Sequence, residues 1–500
     1  MIVEAVAQAD VRESVDSRHR FVRGLGVLAG SQLVTWGLTL AWTVVVPRVL
    51  GPKGIGELTT ATSATSILLT IVELGLTVLL VRKIAQDRSR AGELIATALL
   101  IQAVLYVPAV AIMGVFIGFQ HFDAEQRVIL WLATAAMLPT ILKLPFQSAF
   151  QATENMGRYA ATGVITKLLN SIVGIALVLL GFGVISLATL AAAIEAFTLF
   201  LNFRWARPQF RIMWQVKARR AAALAVESLP FSANYIIHSS YLWINAVLLA
   251  VFTSATVVGW YGVSSRLVTT LYFLPVIVST ALLPRLAASY DGQLAALQAR
   301  ARPVVELVAV LGLPIAAGAA LVGAPLIDLI YGARFSASAV VLSILLASVP
   351  FCYFNILIWQ VLVASSRQII WTKVMAGALV VNVALNLVLI NYFQARSGNG
   401  AIGAAISVVV TEGLMSIAGV LILPGLLNQA SFLRLGRAAL ATIVMAAGVL
   451  AVRTLGLPVQ VLAGIAMFSL FAIVLRAVAV DEIRNLYSAV RRRRSASATA

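Results

Sequence analysis

Four basic and three acidic side chains lie inside long apolar stretches of this sequence, where charge is unusual. The cations are Lys143, Lys167, Arg266 and Lys373, and the acids are Glu73, Glu195 and Glu412. A charge at membrane depth costs about 2.5–3.5 kcal/mol on insertion scales, so each group should face a partner or a polar cavity. The cations are suited to binding an anionic group, and the acids to binding a proton or sodium ion or to neutralising the cations.

Several of these groups also have a purely structural interpretation. Lys373 lies a few residues into its stretch, where a lysine can extend to the membrane interface, whereas Arg266 lies deeper, nine residues after the start and seventeen before the end of its stretch. Glu195 and Glu412 occupy matching positions of an internal repeat, which favours hydrogen bonding between helices. His238 could titrate near neutral pH, but we expect a hydrogen-bonded core histidine.

The apolar stretches that must position these side chains recur along the whole chain. Its 500 residues are 61% hydrophobic and 11% charged, against about 25% charged in soluble proteins, which excludes a water-soluble fold. A helix of about 20 residues spans a bilayer core of about 30 Å. The sequence therefore predicts an all-α polytopic membrane protein with about fourteen transmembrane helices, at 24–46, 54–81, 94–118, 128–150, 159–181, 184–203, 229–252, 257–283, 303–326, 337–362, 369–392, 400–424, 438–456 and 458–478.

Lys and Arg are concentrated in every second connection between the predicted spans. The positive-inside rule places those connections and both termini in the cytoplasm. The net charge of +18 is then a topology signal lying against anionic headgroups rather than a nucleic-acid site. The first 23 residues lack the short apolar core of a cleavable signal peptide, so the first helix should serve as the insertion signal.

An internal repeat relates the two halves of the chain. The tetrapeptide LLVR at 79–82 returns as LLPR at 282–285, and the run from Gly183 to Glu195 returns as Gly400 to Glu412. Six helices restore the side of the membrane, so the halves are parallel repeats about an axis along the membrane normal. This arrangement is typical of alternating-access transporters.

These patterns predict an organisation into two lobes with short connections. The segments are a cytoplasmic tail at 1–23, a six-helix N-lobe at 24–203, a cytoplasmic loop at 204–228, a six-helix C-lobe at 229–424, two further helices at 425–478 and a basic cytoplasmic tail at 479–500. Six prolines lie inside predicted spans and are either hinges or static kinks, tolerated because neighbours satisfy the freed carbonyls. They are Pro108, Pro139, Pro145, Pro275, Pro314 and Pro350.

Four stretches resemble one known family. They are PRVLGPKGIGEL (47–58), VELGLTVLLVRKIA (72–85), APLIDLIYGARFSASAVVLSILLASVP (324–350) and NLVLINYFQARSGNGAIGAAISVVVTEG (386–413). They are similar to the polysaccharide transporter family of the multidrug/oligosaccharidyl-lipid/polysaccharide exporter superfamily. The resemblance covers nearly the whole chain and implies twelve helices in two lobes, followed by two C-terminal helices.

The resemblance implies a flippase rather than an enzyme. Such proteins move undecaprenyl-pyrophosphate-linked oligosaccharide repeat units across the inner membrane for exopolysaccharide, capsule or O-antigen biosynthesis, and the buried cations would offset the diphosphate charge. An ion-coupled multidrug exporter fits less well, because those proteins usually carry an acid in helix one and 24–46 has none. A lipid II flippase also fits less well, because its arginine-rich first helix boundary is unlike RVLGPKGIG.

Motif absences limit the chemistry further. The sequence has no GxxxxGK[ST] loop, no HExxH and only one cysteine, so no cofactor or metal is predicted and energy should come from H⁺, Na⁺ or consumption of the glycan downstream. A membrane glycan polymerase would need a large outer loop, and the longest predicted outer loops, such as 119–127, have about ten residues. The expected partners are the lipid-linked glycan and a polysaccharide polymerase or export machinery, and no nucleic acid.

Overall fold

The architecture was analysed in a computed structural model that describes the backbone of residues 2–478. Side chains are described for residue 37 and for 39–478 except 281, so the predicted basic tail at 479–500 lies outside the described residues. All regular elements in this part of the chain are helices. This follows from the composition, because a helix satisfies its own backbone polar groups in a medium without water. The chain divides into two compact units, Met1–Val247 and Leu248–Ala500.

The first unit contains seven α-helices, the last of which crosses the unit boundary. They are α1 (Ile2–Glu73), α2 (Leu76–Gln86), α3 (Ala91–Phe119), α4 (Ala124–Ala152), α5 (Met156–Leu179), α6 (Val184–Ala206) and α7 (Ala218–Phe252), with a 3₁₀ turn at Arg88–Arg90. α4 packs along α6, and α1 packs along α5. Because α7 begins at Ala218, the irregular part of the predicted 204–228 loop is only 207–217.

The first two predicted spans are not separated by a loop. The predicted turn at 47–53 and the predicted tail at 1–23 both lie within α1, whose only non-helical residue is Gly51 with φ 71° and ψ −178°. Pro52 disfavours a helical conformation at the residue before it, and glycine adopts positive φ without a steric penalty. A short basic turn at 47–53 is expected between the two spans, and the structure reduces it to a break at the single residue Gly51.

The second unit contains ten α-helices within its described residues, which end at 478. They are α8 (Ala255–Leu271), α9 (Phe273–Ala288), α10 (Leu294–Leu321), α11 (Gly323–Tyr331), α12 (Ser338–Leu346), α13 (Val349–Ala364), α14 (Gln368–Ser397), α15 (Ala401–Ile422), α16 (Gln429–Ala451) and α17 (Leu457–Val474), with a 3₁₀ turn at Ala333–Phe335. α14 packs on α15, α13 packs on α9, α10 and α15, and α8 packs on α12. The final pair, α16 and α17, is joined to the unit through α10.

The predicted tenth span at 337–362 is bent. α12 and α13 meet at 45°, and Pro350 lies in the first turn of α13. A proline cannot donate an amide hydrogen to the preceding turn, so one helix ends and another begins there. Pro139 in the fourth predicted span, 211 positions before Pro350, is its counterpart in the internal repeat and lies inside the uninterrupted α4.

Among the described residues, twelve helical runs are long and apolar enough to cross a membrane, or thirteen with the bent pair. The run Thr39–Gln86 contains the end of the first predicted span and all of the second. The all-α polytopic class is thus confirmed, and fourteen is an approximate count. The predicted lobe boundaries remain predictions.

Candidate functional site

The candidates Lys143 and Glu195 lie together in the first unit. The ammonium of Lys143 on α4 forms an ion pair with the Oε2 of Glu195 on α6, and both side chains are largely buried. The pairing follows from the close packing of α4 along α6. In this structure the carboxylate is the counter-ion of the lysine, so the charge of Lys143 is compensated.

Glu412 occupies a comparable helix–helix contact in the second unit. Asn355 Nδ2 on α13 donates to Glu412 Oε2 at 2.8 Å and to its backbone carbonyl at 3.0 Å, while Ser416 Oγ donates to Asn355 Oδ1 at 3.0 Å. α13 and α15 are the counterparts of α4 and α6 in the sequence repeat. The repeated glutamate therefore contacts the corresponding helix in both units, with a cation as its partner in one and an amide in the other.

Glu73 ends α1 and caps α2. Its two carboxylate oxygens accept the backbone amides of Gly75 at 3.2 Å and Thr77 at 2.9 Å. Leu74 and Gly75 between the helices both have positive φ, 53° and 69°. The carboxylate thus satisfies amides that a helix start leaves without partners, and it lies at the positive end of the helix dipole.

Arg266 is the twelfth of the 34 residues in the helical run Ala255–Ala288, and its side chain is exposed. Its guanidinium interacts electrostatically with Tyr331 at the end of α11. Tyr331 itself is buried, and its hydroxyl has no hydrogen-bond partner within the described part of the chain. Arg266 therefore presents a permanent cation on an exposed face of α8, whereas the Tyr331 hydroxyl is buried.

The remaining candidates are more dispersed. Lys167 on α5 is half-buried and has an interaction partner of its own, while Lys373 is exposed near the start of α14. His238 on α7 is exposed, so the expectation of a core histidine is wrong. It lies on a face of α7 that the neighbouring helices leave uncovered, which the α-helical period alone could not assign.

Two buried acids were not among the candidates from the sequence, although both lie inside predicted spans. Glu57 is 1% exposed and lies 3.4 Å from Lys53 Nζ, which also contacts Asp123 at 3.0 Å. The hydrogen bond from the Gln126 amide, followed by the Lys53 ammonium, holds the pKa of Asp123 below its ordinary value. Lys53 therefore interacts with an acid on its own helix, α1, and with the acid that caps the start of α4.

The second missed acid, Glu306 on α10, anchors the last helix pair. Its Oε2 lies 3.0 Å from Arg434 Nη1 on α16, and its Oε1 accepts the Ser431 hydroxyl. Arg434 Nε also donates to the carbonyl of Ala477 at 2.8 Å, after α17. One ion pair thus connects α10, α16 and the end of α17. Among the described residues, no three His, Cys, Asp or Glu side chains form a group that could hold a metal ion.

Residues 21–289, more than half of the chain, match the family model described as "Polysaccharide biosynthesis protein". The chain belongs to this family. It is also 28% identical over 272 residues to the "Probable flippase AglR" of Haloferax volcanii. That match covers 51% of this chain and 53% of the relative, so the chain spans about half the length of the curated relative it matches.

Solved structures of one superfamily share the fold. The "Lipid II flippase MurJ, inward closed conformation" matches with a TM-score of 0.70 at 12% identity, covering 91% of this chain and 99% of that one. A MOP superfamily transporter from Pyrococcus furiosus matches with a TM-score of 0.53 at 15% identity, covering 81% and 96%, and the eukaryotic MATE transporter AtDTX14 with 0.54 at 14%, covering 85% and 100%. The chain is a multi-pass membrane protein with the fold of MOP superfamily transporters and flippases.

Proposed function

We propose that this protein translocates undecaprenyl-pyrophosphate-linked oligosaccharide repeat units from the inner to the outer leaflet of the inner membrane by alternating access. The polysaccharide biosynthesis family, the flippase relative and the MurJ-like fold all support a flippase. The substrate class rests on a different observation, the chemistry around Arg266. Exopolysaccharide, capsule or O-antigen biosynthesis would use the product, with a polymerase or export machinery as the partner that receives it.

The exposed position of Arg266 within a spanning helix carries the proposal. A guanidinium facing lipid inside the membrane is costly, up to about 2.5–3.5 kcal/mol on insertion scales at the helix centre, so the exposed face of α8 should border water rather than lipid. Arginine keeps its charge at every physiological pH, and its planar fork binds two phosphate oxygens at once. This combination fits a pyrophosphate better than a neutral or cationic drug.

The other candidate charges are assigned supporting roles. Lys143 with its counter-ion Glu195 is a weaker phosphate ligand than Arg266, because binding an anion would require separating the pair. Lys167 and Lys373 remain candidates for contacts with the diphosphate or the glycan. Glu73, Glu195 and Glu412 are the candidates for coupling to H⁺ or Na⁺, and Glu73 can bind an ion only by releasing the amides that it caps.

The proposed topology places both termini and the 204–228 connection in the cytoplasm and the 119–127 connection outside. Single cysteines at Ser89 and Gln120, introduced after Cys352 is replaced by Ser, test this placement in intact cells. A membrane-impermeant maleimide should label the Gln120→Cys protein and leave the Ser89→Cys protein unlabelled. External labelling at Ser89 would contradict the orientation.

Translocation itself can be measured in proteoliposomes. An undecaprenyl-pyrophosphate-linked oligosaccharide with a nitrobenzoxadiazole label is quenched by external dithionite only when it reaches the outer leaflet. Arg266→Ala should abolish the protein-dependent quenching, and Arg266→Lys should recover part of it because a point charge lacks the fork geometry. Arg285→Ala, which removes an exposed arginine from the end of the same helical run, is the matched control and should translocate normally. Normal translocation by Arg266→Ala would refute the proposal.

A further inference from the structure

Pro275 deprives one backbone carbonyl, that of Leu271, of its helical amide donor, five residues after Arg266. In a regular helix the amide of residue 275 would donate to the carbonyl of Leu271, but proline has no amide hydrogen. The helical run Ala255–Ala288 is interrupted at this point, since α8 ends at Leu271 and α9 begins at Phe273. An unsatisfied carbonyl inside the membrane is costly, so it requires another donor.

A tyrosine on α13 supplies that donor. The hydroxyl of Tyr353 donates to the Leu271 carbonyl at 2.7 Å, and Tyr353 is 1% exposed, so water does not compete for the bond. α13 is packed along α9, which explains why its side chains reach the interruption. The kink of the eighth span therefore depends on a side chain about 80 residues away in sequence.

The residue next to Tyr353 makes a second contact at the same place. Tyr272, between α8 and α9, donates its hydroxyl to the sulfur of Cys352 at 3.1 Å. The Cys352 sulfur is in turn 3.8 Å from the Ser348 hydroxyl, and the cysteine is buried. Two successive residues of α13 thus fix both the last carbonyl of α8 and the linking residue.

These contacts orient the end of the helix that carries Arg266. Arg266 lies five residues before Leu271, and its own carbonyl accepts the hydroxyls of Thr269 at 3.0 Å and Thr270 at 2.9 Å. Closer to its start, α8 is held by the Ser264 hydroxyl, which donates to the carbonyl of Ser338 at 3.0 Å. With one point fixed on α12 and the other on α13, the direction of α8 at Arg266 is determined by the bond at the kink.

We infer that Tyr353, assisted by Tyr272, is a positioning residue for the Arg266 phosphate site. The inference rests on the proposed function, because it assigns these tyrosines a role in diphosphate binding through the placement of Arg266. The Tyr353 hydroxyl replaces the amide that Pro275 lacks, which keeps the kinked segment in one geometry. Loss of the hydroxyl lets the segment shift, and the fork of Arg266 no longer meets two phosphate oxygens.

The test is the binding of undecaprenyl pyrophosphate to the purified full-length protein in nanodiscs, measured by the change in tryptophan fluorescence. Tyr353→Phe should weaken the apparent Kd about tenfold, with no loss of folded protein. The fold-change is on the order of what a lost buried hydrogen bond produces. Tyr106→Phe is the matched control, because it removes a hydroxyl that donates to the helix carbonyl of Thr134 at 2.9 Å in the other unit. That variant should bind as the wild type does.

A double-mutant cycle separates positioning from general destabilisation. Pro275→Ala restores an amide that can donate to Leu271, so Tyr353→Phe should have almost no further effect on Kd in the Pro275→Ala background. In the Arg266→Lys background the effect of Tyr353→Phe should also shrink, since a lysine does not depend on fork orientation. A tenfold loss in both backgrounds would overturn the inference.

The outcome for Arg266→Ala distinguishes this inference from the proposed function. If Arg266→Ala binds undecaprenyl pyrophosphate as tightly as the wild type, the proposed phosphate site is wrong and the inference falls with it. If Arg266→Ala loses binding while Tyr353→Phe keeps it, the phosphate site stands and only the inference is overturned. The reactivity of Cys352 gives a readout independent of ligand, because Tyr353→Phe should speed its labelling by N-ethylmaleimide and Tyr106→Phe should not.

Discussion

The Lys143–Glu195 pair provides the sharpest prediction for the first unit. Lys143→Met removes the cation and leaves a largely buried carboxylate on α6 without its counter-ion. Two unit charges about 4 Å apart attract by about 4 kcal/mol at an effective dielectric constant of 20, and breaking one side of a buried pair costs about 3–5 kcal/mol. We expect the melting transition of the first unit, Met1–Val247, to fall by roughly 10 °C, because 1 kcal/mol shifts the midpoint of a unit of that size by about 2–4 °C.

The double variant Lys143→Met with Glu195→Gln decides whether pairing explains that loss. Removing both charges leaves no uncompensated group, so the double variant should melt within about 2–3 °C of the wild type. Lys373→Met, which removes an exposed cation in the second unit, is the control and should leave the melting temperature unchanged. A Lys143→Met protein as stable as the wild type, or a double variant as unstable as the single one, would refute the pairing argument.

Translocation by the double variant answers a separate question. If Lys143 serves only as the partner of Glu195, restoring stability should restore translocation of the labelled lipid in proteoliposomes. If Lys143 also binds the diphosphate, the stable double variant should translocate slowly. A stable and fully active double variant would remove both residues from the list of substrate and coupling candidates.

Three further predictions concern other contacts of the structure. Gly75→Ala should lower the melting temperature much more than Gly398→Ala. Both glycines have positive φ, but a Cβ at Gly75 would lie 2.8 Å from the Ser232 amide nitrogen, whereas a Cβ at Gly398 would face open space. Equal losses would show that only the backbone strain at positive φ matters. The lowered pKa of Asp123 means that its contribution to stability is present above the ordinary aspartate value of about 3.9 and is lost as the pH falls through the lowered value. Asp123→Asn should therefore flatten the acid limb of the plot of melting temperature against pH, and an unchanged acid limb would contradict this. Arg434→Met should make trypsin cleave after Arg437 within α16, because it removes the counter-ion of Glu306 and loosens the last helix pair. An unchanged digestion pattern in detergent would show that apolar packing alone holds that pair.

The class of the protein was predictable because it depends on composition and period. A bilayer core of about 30 Å and the need to satisfy every backbone group require long apolar helices, so their number and approximate positions follow from hydropathy. The endpoints were less accurate. The turn at 47–53 became a single non-helical glycine, and the span at 337–362 became two helices at 45°.

The contacts of Glu73 were only partly predictable from the sequence. Its partners, the amides of Gly75 and Thr77, are two and four residues away, so the sequence contained the contact. The uninterrupted apolar run concealed it, because hydropathy does not register a break of two residues. The positive φ of Leu74 is what exposes those amides to the carboxylate.

The sequence by itself determined that charged and polar groups occur inside membrane helices and must find partners there. Only the tertiary structure decided which partners they have. Lys143 is 52 residues from Glu195, and Tyr353 is 82 residues from the Leu271 carbonyl that Pro275 leaves open. Contacts between such distant residues depend on which helices pack together and how each is rotated, and a one-residue change in rotation turns a side chain by about 100°. The rotation of α4 buries Lys143 in an ion pair and that of α8 leaves Arg266 exposed, although their surroundings in sequence are equally apolar.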